Sequence, residues 1–153
     1  MSQPFILTLR LDASSEKLLT ALRTRYFPSS RNYLSAHQKF KVGIKDPFPL
    51  GKKGVALNIA SFKLRKIHEE LLGEFREKGV QLTEQDDRKV RPHVTVQNKV
   101  EEGEAKRTLE EMKREWMMNG DGNGGIGGMA EAITLWRYEV SGEWTHLEDY
   151  EFA

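Results

Sequence analysis

The stretch Arg91–Val100, RPHVTVQNKV, sets an imidazole and a hydroxyl two positions apart in a run that otherwise alternates like a β-strand. Successive side chains of a strand point to opposite faces, so His93, Thr95 and Gln97 are expected on one face and Val94, Val96 and Val100 on the other. An imidazole titrates near neutral pH and a hydroxyl both donates and accepts, so the pair can hold an anionic oxygen and move a proton beside it. A surface strand with two ordinary polar residues is the alternative. A second imidazole occupies a comparable place. In AHQKFKVGIK the alternation puts Phe40, Val42 and Ile44 on one side and His37, Lys39 and Lys41 on the other. In-line attack on a phosphodiester needs two such groups, one taking a proton from the nucleophile and one giving a proton to the leaving oxygen. That chemistry requires no metal.

The other histidines and motifs offer less. His68 lies on the apolar stripe of a helix with Leu64 and Leu71, and reads as a packing residue. HEELL lacks the second histidine that a zinc protease needs. His146 falls in the last strand with no partner nearby in sequence. Gly122, Gly124 and Gly127 match the letters of a dinucleotide-binding fingerprint, but they follow a helix and precede a strand, so the stretch reads as a flexible loop.

The elements that must position the two histidines are legible from periodicity. PFILTLRL reads as a strand, and DASSEKLLTALRTRYF as a helix capped by Asp12 or Ser14 with Leu18, Leu22 and Tyr26 on its stripe. PSSRN breaks it. The proline and glycine turn DPFPLGKKG leads from the His37 strand into the strand VALNIA. Ser61 caps a helix with Leu64, Ile67, Leu71 and Phe75 inward, stopping at Gly79. After RPHVTVQNKV comes a helix over about 102–118 with Leu109, Met112 and Trp116 inward, then the polar glycine loop NGDGNGGIGG. AITLWRYEV and EWTHLEDYEF close the chain as a hairpin. Mixed strands and helices with hairpins in both halves predict an α+β fold with antiparallel pairing, as a single domain over 1–153.

Composition bounds the chemistry. With 153 residues the chain is long enough to bury a core without staples. Its 24 Lys and Arg against 23 Asp and Glu leave a formal charge of +1, so no global field draws it to long nucleic acid or to acidic membranes. The local excess of lysines at 39, 41, 45, 52 and 53 reads as a solvated face unless a histidine stands beside it. The absence of cysteine excludes disulfides, thiolate catalysis and cysteine-ligated metal centres. No apolar run reaches membrane-spanning length, so a cytoplasmic protein that uses neither membrane nor metal is expected.

These segments together resemble the two-histidine phosphoesterases, in the branch of 2'-5' RNA ligase-like and cyclic nucleotide phosphodiesterase proteins. YFPSSRNYLSAH is similar to the approach to the family's first His-x-Thr strand and FPLGKKGVALNI to its hairpin. RPHVTVQNKV is similar to the second His-x-Thr strand, and ITLWRYEVSGEW to the closing hairpin. The resemblance implies two pseudo-symmetric lobes of antiparallel sheet with flanking helices, each presenting one His-x-Thr pair to a shared groove. It makes His93 and His37 the catalytic acid and base and Thr95 a phosphate ligand, with no cofactor. Lys39 stands where the first threonine is expected and would meet phosphate as a point charge. From His37 the sequence passes directly into hairpin-like sequence, as though about 20 residues carrying a helix were absent, so the first lobe is expected to be shortened. Arg91, Trp136 and Tyr138 are candidate substrate contacts, because arginine pairs with phosphate and aromatic faces stack on bases. The expected activity is hydrolysis of an RNA 2',3'-cyclic phosphate or the related 2'-5' exchange. The expected partner is an RNA end or a cyclic nucleotide phosphate, bound by a monomer. A binding module without turnover, and a relic that pairs its exposed strand edge with a second copy, are the alternatives.

Overall fold

The structure is a computed structural model that describes residues 5–26, 40–84, 86, 88–119 and 125–152. His37 and Lys39 therefore lie outside the described residues, as does the PSSRN break. The elements run β1 (Phe5–Leu11), α1 (Ala13–Tyr26), β2 (Lys41–Pro49), β3 (Gly54–Ala60), α2 (Phe62–Glu77), β4 (His93–Asn98), α3 (Glu102–Asn119), β5 (Ile126–Tyr138) and β6 (Trp144–Glu151). Among the described residues all strand pairs are antiparallel, in a 6-stranded sheet of order β1-β5-β2-β3-β4 with β6 also on β5. The fold is α+β, as the sequence predicts. What the strand order establishes is one sheet with two strand groups joined through β5, whose first residues pair with β2 while its later ones pair with β1 and β6.

Alternation sends Leu9 and Leu11 of β1, Val42 and Ile44 of β2, and Val55, Leu57 and Ile59 of β3 into one core. The helices cover that face: Leu19 of α1 and Met112 of α3 are fully enclosed in the same cluster, and Leu64 and Ile67 of α2 pack against it. The α1 stripe corrects the sequence expectation. Among its described side chains Ser15 and Leu19 are the buried positions, with Leu22 and Tyr26 half-buried on the same stripe and Leu18 beside it. α2 begins at the expected cap, where the Ser61 hydroxyl accepts from the Leu64 N–H at 3.2 Å, and ends before Gly79 at a φ of 68°. None of its residues is fully buried, and His68 is half-buried on its apolar stripe. Among the described residues no helix is long and apolar enough to cross a membrane.

Two further boundaries differ from expectation. DPFPLGKKG is a turn only over its second half. Asp46 to Pro49 belong to β2, where a bulge between Ile44 and Pro47 shifts the register against β3. β5 pairs with β2 only as far as Ile44, so the prolines occupy a stretch with no ladder on that side to break. The glycine loop also ends earlier than read, because β5 starts at Ile126 and includes Gly127 and Gly128. A Cβ on Gly128 would stand 2.7 Å from the Ser15 hydroxyl, so the glycine admits the first turn of α1 against the strand.

Asp12 fastens that junction. Its carboxylate accepts from the backbone N–H of Ser15 at 3.0 Å and of Met129 at 2.6 Å, and from the hydroxyls of Ser14 and Ser15 at 2.5 and 2.8 Å. Partial burial pushes this carboxyl up, but the Met129 N–H and the serine donors outweigh it and hold it well below the usual carboxylate range. A depressed folded pKa contributes stability that is complete above the ordinary carboxylate range and is lost as pH falls through the folded value. Asp12→Ala is expected to lose about 1–2 kcal/mol in denaturant unfolding at pH 7, and the deficit relative to wild type should shrink below about pH 4. An undiminished deficit at pH 2.5 would contradict the assignment.

Candidate active site

His93 opens β4, an edge strand, because Pro92 before it cannot donate to a ladder and its carbonyl instead accepts from the Ile59 N–H at 2.9 Å. The register sets His93 opposite Asn58 and Thr95 opposite Ala56. Opposed residues of a pair share a face, and Asn58 and Ala56 alternate with the core residues Leu57 and Ile59. His93 and Thr95 therefore stand on the face away from the helices. Gln97 does not join them. A bulge between Val55 and Ala56 places it opposite Val55, on the core side, where it is buried and its Nε2 donates to Glu104 of α3 at 3.0 Å. The alternation rule fails at that one inserted residue.

The His93 ring is exposed and held at one nitrogen, Nδ1 lying 2.8 Å from the carbonyl oxygen of Arg91. A carbonyl only accepts, so this contact selects the tautomer with the proton on Nδ1 and leaves Nε2 as a base. The ring meets the Phe48 ring edge-on at a centroid separation of 6.0 Å. The Arg91 guanidinium lies over the other part of this wall, 3.6 Å from the Phe48 centroid, and its Nε and Nη2 both donate to Asn58 Oδ1, at 3.1 and 2.9 Å. Asn58 Nδ2 in turn donates to the Asp46 carbonyl at 3.1 Å. The half-buried Thr95 hydroxyl has no partner among the described residues. A base nitrogen and a hydroxyl, both without a partner among the described residues, thus share the N-terminal end of β4 with a fixed guanidinium, and this set can bind a tetrahedral anion and exchange a proton with it.

Sequence reasoning named His93, Thr95 and Arg91, which the structure brings together. It missed Phe48 and Asn58. The signal for Asn58 was present, a single amide at a polar phase of the otherwise apolar VALNIA, whereas Phe48 was hidden in what read as a proline turn. Lys41 shares the face of His93, through the pairs Asn58–His93, Ala60–Gly43 and Lys41–Met129, and is exposed there. A shallow cavity of about 550 Å³ beside it is lined by Asp12, Ser14, Gly43, Gly127 and Met129 among others.

Trp136 and Tyr138 lie on the same face in the other strand group. On the order of 30 Å of extended β5 separates Trp136 from Gly127, so they are not part of the His93 cluster. The Trp136 indole donates to the Thr8 hydroxyl at 2.6 Å and packs edge-on against Trp144 and His146, at 6.3 and 5.4 Å. His146 has a partner that the sequence did not announce, its Nε2 lying 3.3 Å from Asp149 Oδ1. The Thr134 hydroxyl, with help from His146 and Arg10, holds the Asp149 carboxyl below its ordinary value.

The chain matches the family model of the 2'-5' RNA ligase superfamily over residues 8–141, in agreement with the two-histidine resemblance. No curated protein is matched. Neutral His93 is expected to carry its proton on Nδ1 in long-range nitrogen–proton NMR spectra at pH 8. Predominance of the Nε2–H tautomer would contradict the geometry.

Proposed function

The chain belongs to the 2'-5' RNA ligase superfamily, and on that footing we propose that it is a two-histidine phosphoesterase acting without a metal on an RNA 2',3'-cyclic phosphate or the related 2'-5' linkage. The observation that carries this reading is that His93 Nε2 and the Thr95 hydroxyl, neither with a partner among the described residues, share one end of β4 with the Arg91 guanidinium. In hydrolysis one imidazole takes a proton from water, the water oxygen bonds to phosphorus, and the bond from phosphorus to one ribose oxygen breaks as the other imidazole protonates that oxygen. His93 is one of these groups and His37 the other. Thr95, Arg91 and Lys39 bind the non-bridging oxygens, and Trp136 and Tyr138 offer ring faces to bases further along the strand. Cytoplasmic RNA ends handled by a single-domain monomer complete the reading.

Turnover is expected to be slow. β2 begins at Lys41, only four positions after His37, so the chain has no length there for a separate His-x-Thr strand followed by a helix. Losing one hydrogen bond to a charged oxygen costs roughly 1.5–3 kcal/mol, whereas misplacing a general acid or base by about an ångström forfeits on the order of a hundredfold. The short segment therefore matters more than the lysine in place of threonine, and it favours, as a second reading, a module that binds nucleotide phosphates without turnover.

With a chelator present, a 2',3'-cyclic nucleotide should be opened with a bell-shaped pH dependence, and His93→Ala should slow the reaction by at least about a hundredfold. Turnover unchanged in His93→Ala would refute the enzymatic reading. No product together with a rise in melting temperature at millimolar nucleotide would establish the binding module instead.

A further inference from the structure

We infer that Asn58 and Phe48 are positioning residues that lock Arg91 beside His93 as an anion-directed clamp. This rests on the reading of His93, Thr95 and Arg91 as a phosphate site, and it assigns roles to two residues outside any His-x-Thr motif.

A free arginine side chain loses much rotamer freedom when it meets a ligand, and a guanidinium held beforehand loses less. Two independent holds act here. Asn58 Oδ1 takes the Nε and Nη2 protons, which fixes the fork in its plane, and the Phe48 ring at 3.6 Å fixes that plane's height. The amide cannot turn its nitrogen to Arg91 without losing the bond from Nδ2 to the Asp46 carbonyl, so its orientation is set by the backbone of β2. The ring that carries Arg91 is also the ring that His93 meets edge-on, at 85°, so a single side chain sets the relative placement of cation and imidazole.

The chemistry of the holding group matters as much as the geometry. Arginine has five N–H donors and Asn58 uses two, which leaves the Nη1 pair and one Nη2 proton for an anion. An asparagine accepts these bonds without neutralising the charge, as an aspartate or glutamate would. Among the described residues no carboxylate pairs with Arg91. The bond could alternatively serve only to secure the turn at Pro92. That role would leave ligand affinity unchanged once the protein is folded.

Adenosine 2'-monophosphate is the probe, titrated calorimetrically into the full chain. Arg91→Ala and Asn58→Ala should each weaken binding by about tenfold, and the double variant should be no weaker than Arg91→Ala alone, because Asn58 acts through Arg91. Asn58→Asp, which keeps the acceptor but cancels the charge, should also weaken binding. Phe48→Leu should weaken it and Phe48→Tyr should restore it. Without ligand, the Arg91 Nε–H resonance should exchange slowly with solvent in the wild type and rapidly in Asn58→Ala, with the backbone spectrum otherwise preserved. Wild-type affinity in Asn58→Ala alongside a weakened Arg91→Ala would overturn the inference, as would losses that multiply in the double variant. A wild type that fails to bind the probe, or binding indifferent to both His93→Ala and Arg91→Ala, would overturn the site reading itself and the clamp with it.

Discussion

Strand β5 is paired along its whole length but with changing partners, and the placement of every other element follows from that. Its first residues bond to β2, and its remainder bonds to β1 and β6. The change occurs at Met129 and Ala130, where the Asp12 carboxylate takes the Met129 N–H and Ala130 donates to the Phe40 carbonyl. The same carboxylate caps α1, so one side chain fixes the register of the strand, the start of the helix and the approach of the two. Because α1, α2 and α3 all pack on one face, His93, Thr95, Lys41 and Arg10 stand on the opposite face, where no described helix covers them.

The site follows from edge geometry. A proline at the start of β4 ends the ladder, frees the Arg91 carbonyl to orient the imidazole, and turns the Arg91 side chain back across Phe48 toward Asn58. Of this set only Arg91 and His93 are adjacent to the proline in sequence. Phe48 and Asn58 come from the β2–β3 hairpin, so the hairpin is part of the site and not merely a support for it. Residues of ordinary type in an apolar hairpin thereby set the surroundings of the histidine on the neighbouring strand.

Most elements could be read from the sequence because they obey a single period. The alternation of Phe40, Val42 and Ile44, and the stripe of Leu64, Ile67, Leu71 and Phe75, are direct consequences of strand and helix geometry. Where a long-range contact decided the outcome, local reading failed. Gly128 looks like part of a loop until the first turn of α1 packs on it, Gln97 looks like a partner of His93 until a bulge turns it inward, and Leu19 outranks Leu18 because the stripe of Ser15, Leu19, Leu22 and Tyr26 is the one that meets the core. The candidate site was half legible for the same reason. The motif on β4 announces itself, whereas its supports arrive through strand pairing.

The proposed function requires that two imidazoles from distant parts of the chain serve one phosphate. The most direct measurement follows the ring C–H resonances of His37 and His93 by NMR while a nucleoside 2'-monophosphate is titrated into the protein. Both rings should shift along one saturation curve with a common dissociation constant. Movement of only one ring, or of two rings with unrelated affinities, would contradict it.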